Sequence, residues 1–465
     1  MVKGDGTSKP YLHMIGNSSI DVTGSMHHLR FKKYSLLLDA GMIQGGDLVA
    51  NYLANKDQLK KIKPREIDYI ILSHIHIDHS GLIPALFAKG CNAHVYVPQG
   101  TIPFLKLLWE DSLKIHVSDC QKIEAKHGRK ASPLYTESDI ERALFRCIEV
   151  GPEEYRINED IEFQYLSAGH IIHSTQIYLE LRQGNIIKRV GYTGDIGGVQ
   201  ERWYVRDRDT MPYVDVLIGE NTYNSKSRPN NAKDRINDIR KIKSIINESN
   251  KILIPCFSLQ RTQELITVLG ENELINPSCP VYLDSPLASK FCDMWADSVG
   301  EDGEEFEKYM SKVKVLNDYE QSKRLQESDE HCIIISASGF LQGGRIMNHI
   351  KTALSNPNNH ILFIGYAGEN NLASQIKSGQ KEVKVDGELV KNNANITELR
   401  SFSSHANYEE LMKYYSEECR YSKIALVHGN FSDKVDFAHE LQENLIQQGK
   451  SSRVITTNQD QKIYI

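Results

Sequence analysis

A run of metal-binding side chains at residues 74–79 reads His-Ile-His-Ile-Asp-His. It follows residues 67–73 (IDYIILS), whose apolar character predicts a strand. On an extended backbone alternate side chains point to the same side, so His74 and His76 can reach one ion. Where the chain leaves the strand for a loop, Asp78 and His79 can serve a second ion. Three imidazoles and a carboxylate within six residues would build a poor apolar core, so we interpret the run as a metal site.

Two ions need more ligands than this run supplies. Good candidates are His or Asp residues at strand ends beside glycine, where backbone and metal can approach closely. They are His170 in SAGHIIHS, Asp195 in YTGDIG and His428 in ALVHGN. Each alone is a weak signal, since a single His at a strand end is more often packed or hydrogen-bonded. Imidazole and carboxylate without thiolate suit Zn²⁺, with Mn²⁺ or iron as rivals.

Composition excludes several classes of protein. The chain has 465 residues, 40% of them apolar, and a net charge of −6, which excludes a histone-like basic tail and an acidic disordered chain. No apolar run approaches the ~18 residues that span a bilayer, and the polar N-terminus does not resemble a secretory signal. The eight cysteines are scattered without a CxxC motif. We therefore expect a globular cytoplasmic protein that has no membrane partner.

The pattern of predicted elements changes along the chain. Short strands dominate to about residue 197, whereas from about residue 214 apolar runs alternate with helical stretches. Buried strands alternating with helices predict a mostly parallel sheet and an α/β fold. After about residue 400, two helices alternate with two strands. This last block could form a third domain or complete the first, and the pattern alone leaves both open.

The motifs, in order, resemble those of a metallo-β-lactamase-fold hydrolase of the β-CASP branch, a group that processes nucleic acids. The matching residues are Asp39 in LLLDAGM, the 74–79 run, His170, Asp195, Glu220 in GENTYNSKSRP, His405 in SFSSHANY and His428 in VHGN. Further matching stretches are PCFSLQRTQEL, LDSPLA, SGFLQGGR and GYAGENNLASQI. The resemblance therefore covers nearly the whole chain, and it is closest to single-chain ribonucleases related to the endonuclease subunit of the pre-mRNA 3′-end cleavage machinery.

This resemblance implies a domain layout. We expect an αββα metallo-β-lactamase sandwich whose first part spans residues 1–224, with an inserted β-CASP domain, a parallel sheet flanked by helices, at 225–395. Residues 396–465 would then complete the first domain. The active site would lie in the cleft between the two domains.

The resemblance also implies the ligand sets. His74, His76 and His170 would hold one ion, Asp78, His79 and His428 the other, and Asp195 would bridge them. The expected cofactor is two Zn²⁺, with Mn²⁺ as an alternative. Two such ions lower the pKa of a shared water and hold the attacked phosphate, which suits phosphodiester hydrolysis to 5′-phosphate and 3′-hydroxyl products.

Four residues are expected to assist the chemistry. His405 would protonate the leaving oxygen as a general acid, and Glu220 would orient its ring. Asp39 would support a ligand imidazole from behind, and Asp78 would also steer the attacking water. The alternative is structural, since Glu220 could cap a helix and His405 could pack beneath one.

Substrate contacts are less strongly indicated. Arg261 follows a predicted strand at a helix start, where anions are favoured, so we expect it to bind phosphate. Lys226 and Ser403 are further candidates, although surface charges such as Lys226 are usually just solvated. His173 stands where the resemblance predicts glycine. We expect His173 to pack rather than to act in the site.

The resemblance favours RNA over DNA, because a His such as His428 at the third branch motif accompanies RNA-processing members. We expect an endonuclease that also degrades RNA from the 5′ end. Three alternatives stay open: a DNA-processing nuclease, a small-molecule metallo-hydrolase of the same fold, and an inactive assembly subunit. The last is disfavoured because every ligand position is filled. A homodimer stays open, and the sequence identifies no protein partner.

Overall fold

The computed structural model describes residues 9–45, 47–128, 130–198, 207–226, 234–339, 341, 343–364 and 371–465. Parts of the GENTYNSKSRP, SGFLQGGR and GYAGENNLASQI motifs therefore lie outside the described residues. The chain divides into two compact units, the first comprising residues 1–44, 48–229 and 404–465, and the second comprising 45–47 and 230–403. The predicted boundaries after residues 224 and 395 stay a proposal.

The first unit contains two mixed sheets. The strands of one are β1 (Tyr11–Met14), β2 (His27–Phe31), β3 (Tyr34–Leu38), β4 (Tyr69–Ile71), β5 (His94–Pro98), β6 (Cys147–Val150) and β22 (Gln461–Tyr464). Those of the other are β7 (Tyr155–Arg156), β8 (Ile161–Ser167), β9 (Thr175–Gln183), β10 (Ile186–Tyr192), β11 (Val214–Glu220), β20 (Tyr421–Val427) and β21 (Arg453–Thr456).

Each sheet is part antiparallel and part parallel. The order β22-β1-β2-β3-β4-β5-β6 is parallel from β3 onward, and the order β21-β20-β11-β10-β9-β8-β7 is parallel from β21 to β10. The C-terminal block supplies strands to both, since β22 pairs with β1 and β20 with β11. It therefore completes the sheets of the first unit.

The main core of this unit lies between the two sheets. Strand β8 shows why, because its residues alternate strictly between buried and half-buried positions. Ile161, Phe163 and Tyr165 point inward and pack with Leu36 and Leu38 of β3.

The helices of the first unit are α1 (Leu48–Lys60), α2 (Ile77–Ser80), α3 (Ile83–Ala88), α4 (Ile102–His127), α5 (Glu137–Phe145), α13 (Tyr408–Lys413) and α14 (Phe431–Gln447). Helices α13 and α14 cover the outer face of the second sheet.

The second unit is a parallel sheet with helices, as the alternating pattern predicted. The order is β14 (Lys314–Val315), β13 (Val281–Leu283), β15 (Cys332–Ser336), β12 (Lys251–Pro255), β16 (His360–Ile364) and β19 (Asn395–Leu399). A hairpin joins β17 (Glu382–Val385) to β18 (Glu388–Lys391). The helices are α6 (Arg235–Glu248), α7 (Arg261–Glu271), α8 (Pro286–Ser298), α9 (Glu301–Met310), α10 (Tyr319–Glu327), α11 (Ile346–Ala353) and α12 (Leu372–Lys377). Within the described ranges, no helix has the length and apolar character that a bilayer crossing requires.

A buried lysine anchors α14 in the first unit. Lys434 is fully buried, and its Nζ donates to the carbonyl oxygen of Ser19 and, at 3.4 Å, to the hydroxyl of Thr457. Burial lowers the pKa of Lys434 to about 7, although the nearby Asp21 carboxylate opposes this shift. The folded protein therefore holds this proton less tightly than the unfolded chain does.

We expect Lys434→Met to remove part of the pH dependence of stability. The unfolded chain binds more protons between about pH 7 and 10, so the stability of the wild-type protein rises with pH across this window. From pH 7 to pH 9 the wild-type free energy of unfolding, measured in urea, should increase by about 2 kcal/mol relative to that of the variant. The exposed Lys60→Met should keep the wild-type slope. Equal slopes for wild type and Lys434→Met would contradict a buried lysine that titrates near neutrality.

Candidate metal centre

The predicted ligands of the first unit lie at the carboxyl ends of parallel strands. Asp39 directly follows β3, and the 74–79 segment comes shortly after β4. In the second sheet Asp195 comes after β10, Glu220 ends β11, and His428 directly follows β20. Strands β11 and β20 are parallel neighbours with Glu220 opposite Val427, which brings Glu220 and His428 to the same edge. Ligand sites of α/β proteins favour this edge.

The 74–79 segment differs in one respect from the predicted strand followed by a loop. Residues 77–80 form the helical turn α2, so Asp78 and His79 lie on a helix rather than in a loop. The backbone N–H groups of His79 and Ser80 donate to the His76 carbonyl at 2.9 and 2.8 Å. The Ser80 hydroxyl donates to the Ile75 carbonyl at 2.7 Å. These bonds close the turn immediately after the extended residue His76.

Backbone contacts lock this turn against the end of β3. The Ala40 N–H donates to the His79 carbonyl at 2.8 Å, and the Ser25 N–H donates to the Asp78 carbonyl at 2.8 Å. Gly41 lies so close that an added Cβ would stand 1.6 Å from the Asp78 oxygen. Any side chain at residue 41 would therefore push away the turn that carries Asp78 and His79.

Three imidazoles converge on a first position. His76 Nδ1 lies 3.1 Å from His74 Nε2 and 3.4 Å from His170 Nε2. Oδ2 of Asp195 lies 3.6 Å from His74 Nε2 and 3.7 Å from His170 Nε2. Ligand atoms of these four residues all lie within 4.8 Å of one another, which is close enough to share one ion.

Burial favours the neutral form of the three imidazoles in the first group. It lowers the pKa of His76 to about 4, despite the opposing charges of Asp78 and Asp195. Burial also holds the pKa values of His74 and His170 well below their ordinary value. Neutral imidazoles offer lone pairs to a metal, so the protonation state fits a cation.

A second group lies on the other side of Asp195. His428 Nε2 is 3.3 Å from His79 Nε2 and 3.3 Å from Asp78 Oδ2. Oδ1 of Asp195 lies 3.2 Å from His79 Nε2 and 3.5 Å from His428 Nε2. The two carboxylate oxygens of Asp195 therefore face different groups, as a bridging ligand requires.

In the second group, neighbouring carboxylates favour the protonated form of both imidazoles. Burial lowers the pKa of His79, but the charges of Asp195 and Asp78 outweigh it and raise this pKa well above its ordinary value. The same balance, with Asp195 as the largest opposing charge, raises the pKa of His428. Burial opposes ionisation of Asp195, yet the His428 and His79 charges hold its pKa well below the usual range. The carboxylates of Asp78 and Asp195 therefore stabilise positive charge at this position. This set of carboxylates and imidazoles fits divalent metal ions.

A buried hydrogen-bond network supports the predicted ligand His79. Its Nδ1 lies 2.6 Å from Asp39 Oδ2, and its Nε2 faces His428 and Asp195. The Ser73 N–H donates to Asp39 Oδ1 at 2.7 Å, and the Tyr192 hydroxyl donates to Asp39 Oδ2 at 2.7 Å. The sequence pointed to Asp39 but not to Tyr192, whose position directly before TGD is its only signal.

His405 and Glu220 form a pair beside the first group. Nδ1 of His405 lies 3.1 Å from Glu220 Oε1, which also accepts from the Ile196 N–H at 2.9 Å. The Thr222 N–H donates to Glu220 Oε2 at 2.9 Å. Glu220 lies at a strand end and binds His405, so the alternative of a helix cap does not apply. Asn407 caps the adjacent α13 instead.

The open side of the centre lies at His405, His76 and Asp78. The side chain of His405 is 18% exposed and that of Asp78 is 18% exposed, whereas Asp195 is 2% exposed. The His405 ring lies 4.4 Å from the His170 ring, between centroids. A polymer that reaches the centre would therefore meet His405 next to the metal positions.

The predicted substrate-binding residues lie in different settings. Arg261 begins α7 of the second unit as predicted, and its Nη1 lies 3.5 Å from Oε2 of the buried Glu264. Lys226 is exposed and pairs with Glu440 at 2.7 Å. Ser403 is 2% exposed and belongs to the second unit. Their role in binding stays a proposal.

His173 has a packing environment. Its ring lies 5.8 Å from the Phe104 ring, between centroids, and its Cε1 would be 2.9 Å from a Cβ added at Gly100. The residue is half-buried and adopts a left-handed backbone conformation. These contacts agree with the expectation that His173 fills space.

Three family descriptions match successive parts of the chain. The metallo-beta-lactamase superfamily matches residues 29–216, and the Beta-Casp domain matches 262–376. The Zn-dependent metallo-hydrolase RNA specificity domain matches 390–448. A ribonuclease of Thermus thermophilus, TTHA0252, is 30% identical over 422 residues, which cover 88% of this chain and 91% of the relative. The chain belongs to the β-CASP ribonucleases of the metallo-β-lactamase superfamily.

Other similarities agree with this membership. An RNase J-like protein of Methanocaldococcus jannaschii is 28% identical over 89% of this chain and 91% of its own length. A transcription termination factor, FttA, of the same organism is 29% identical over 80% of this chain but only 60% of its own length. The expected fold class, an α/β metallo-β-lactamase domain with an inserted β-CASP domain, is thereby confirmed.

A solved structure supports the fold alone. It is a protein of unknown function from Enterococcus faecalis V583, with a TM-score of 0.55 and 13% sequence identity, covering 98% of this chain and 100% of that one.

Family membership defines the class of enzyme. As a β-CASP ribonuclease, this chain is a metal-dependent hydrolase, and the matched RNA specificity domain supports RNA as its substrate.

Proposed function

We propose that this β-CASP ribonuclease uses two zinc ions to hydrolyse RNA phosphodiester bonds to 5′-phosphate and 3′-hydroxyl products. It would cut internally and would also degrade RNA from the 5′ end. One observation carries the proposal: the two carboxylate oxygens of Asp195 lie within 3.7 Å of imidazoles of both groups, and the His405–Glu220 pair lies beside them. A single-metal or purely binding protein would not need this combination.

The ligand assignment follows the two groups. His74, His76 and His170 would hold one ion; Asp78, His79 and His428 would hold the other; and Asp195 would contact both. When bound, two divalent ions lower the pKa of a water and neutralise the charge of the attacked phosphate. Asp78 is partly exposed, so its carboxylate is also available to orient the attacking water.

His405 would donate a proton to the leaving 3′ oxygen. Its Nδ1 lies 3.1 Å from Glu220 Oε1, so the proton would be donated from its other ring nitrogen, Nε2. A 3′ alkoxide leaves poorly, and a positioned acid typically contributes about 10²–10⁴-fold in rate. Glu220 would hold the ring in place, because two backbone N–H groups fix the carboxylate itself.

Among the proposed substrate contacts, Lys226 is the most accessible. Its ion pair with Glu440 is exposed, and such pairs contribute little, so a phosphate could replace the carboxylate. Arg261 is almost fully buried against Glu264 and would reach a phosphate only at its exposed edge. Ser403 lies two residues before His405 in the chain, and we propose that it binds the substrate near His405.

Cleavage of matched oligonucleotides tests this function. We expect an internally labelled RNA to be cut faster than DNA of the same sequence, with 5′-phosphate and 3′-hydroxyl ends. An RNA with 2′-O-methyl groups should still be cut, because the attacking group is a water rather than the 2′-hydroxyl. Products that end in a 2′,3′-cyclic phosphate, or a preference for DNA, would contradict the proposal.

A further inference from the structure

The turn that carries His428 is held in an unusual conformation. His428 has a φ of 56°, in the left-handed region that a non-glycine residue rarely adopts. Its N–H donates to the Ser18 carbonyl at 2.6 Å, and its own carbonyl accepts from the Asn221 N–H at 3.3 Å. These backbone bonds place the residue, but they leave open which ring nitrogen faces the second metal position.

One hydroxyl decides the orientation of the His428 ring. Oγ1 of Thr222 lies 2.8 Å from His428 Nδ1 and 3.2 Å from the His428 carbonyl oxygen. A hydroxyl has a single proton, and the carbonyl can only accept. If Thr222 donates to the carbonyl, its oxygen must accept from a protonated Nδ1. The two contacts are therefore satisfied together only when Nδ1 carries hydrogen and Nε2 is left to face Asp78 and His79.

We propose that Thr222 is the positioning residue that fixes His428 in the Nδ1–H form and so controls affinity at the second metal position. This inference rests on the proposed function, since it deepens the assignment of His428 as a ligand. Partners that orient a ligand imidazole typically contribute about 10–100-fold in metal affinity. Thr222 itself would touch neither metal nor RNA.

The geometry separates this role from that of Glu220. Thr222 binds Glu220 through its backbone N–H, whereas it binds His428 through its hydroxyl. Thr222→Val keeps the backbone N–H and the branched shape but removes the hydroxyl. The substitution should therefore disturb His428 and leave the His405–Glu220 pair in place.

Zinc binding in the absence of RNA tests the inference. In competition with a chromogenic chelator, wild type should bind two zinc ions, and Thr222→Val should bind the second about 10–100-fold more weakly with the first unchanged. Thr222→Ser should restore the second affinity to near the wild-type value. Thr267→Val removes another buried hydroxyl, one that donates to the Gln263 carbonyl within α7, and should leave both affinities unchanged.

A spectroscopic readout covers the case in which Thr222→Val fails to fold. In zinc-loaded wild-type protein, ¹⁵N NMR of the His428 ring should show a proton on Nδ1 and the metal on Nε2. A metal on Nδ1, or a second zinc affinity in Thr222→Val equal to that of wild type, would overturn the role of Thr222. A wild-type protein that binds no pair of zinc ions would instead overturn the proposed function.

Discussion

His76→Ala is expected to abolish RNA cleavage and to reduce bound zinc. His76 Nδ1 faces both other imidazoles of the first group, at 3.1 and 3.4 Å, so its loss removes the side chain that joins them. Losing a residue that only supports a ligand costs about 10–100-fold, and a ligand itself should cost more. We therefore expect kcat/KM to fall by more than about 10²-fold, with zinc content measured by elemental analysis falling in parallel.

His439→Ala is the matched control for this variant. His439 lies exposed on α14, 3.5 Å from Glu443, and belongs to neither ligand group. It should retain wild-type cleavage and zinc content. Wild-type cleavage by a His76→Ala protein that has lost its zinc would rule out the two-metal mechanism.

His405→Ala is expected to slow cleavage by about 10²–10⁴-fold while zinc content stays unchanged. The reason is that His405 pairs with Glu220 and belongs to neither of the two assigned ligand groups, although the two residues and Asp195 lie close together, and its proposed role is to protonate the leaving oxygen. Single-turnover rates should be measured to separate the chemical step from product release. Glu220→Gln should show a smaller defect, because the amide can still contact the ring but accepts a weaker hydrogen bond than the carboxylate does.

A modified RNA distinguishes proton donation from other roles of His405. A linkage whose leaving atom is 3′-sulfur departs without protonation, so the rate defect of His405→Ala should nearly vanish on this substrate. The His76→Ala defect should persist on it, since metal binding is still required. Loss of zinc in His405→Ala would make this residue a ligand, and an undiminished defect on the sulfur linkage would exclude it as the acid.

The parallel sheet of the second unit could be predicted because its pattern is local, whereas the pattern left the place of the C-terminal block open. The alternation of buried strands and helices predicted the parallel sheet of the second unit, and the start of α7 at Arg261 could be read from the end of the preceding strand. The helical turn α2 could not, because residues 77–80 lack the length that makes a helical period visible. Backbone bonds to Ala40 and Ser25, distant in sequence, hold that turn.

The candidate centre was only partly predictable, because some of its contacts join residues that are distant in sequence. The metal-binding residues can be recognised in the sequence, because a cluster of His and Asp residues seldom has another function. Supporting residues do not, because a tyrosine or threonine has many uses and its partner is set by the fold. Tyr192 meets Asp39 only once β10 of one sheet packs against β3 of the other, and Thr222 meets His428 only once β11 pairs with β20.

Titration of the metal-depleted protein with zinc is the most direct test of the proposed chemistry. Bound zinc and the rate of cleavage of an end-labelled RNA should be measured at each addition. We expect no cleavage without metal and a rate that rises until two ions are bound per chain. Full cleavage by metal-free protein, or a rate that saturates with one bound ion, would contradict a paired-metal nuclease.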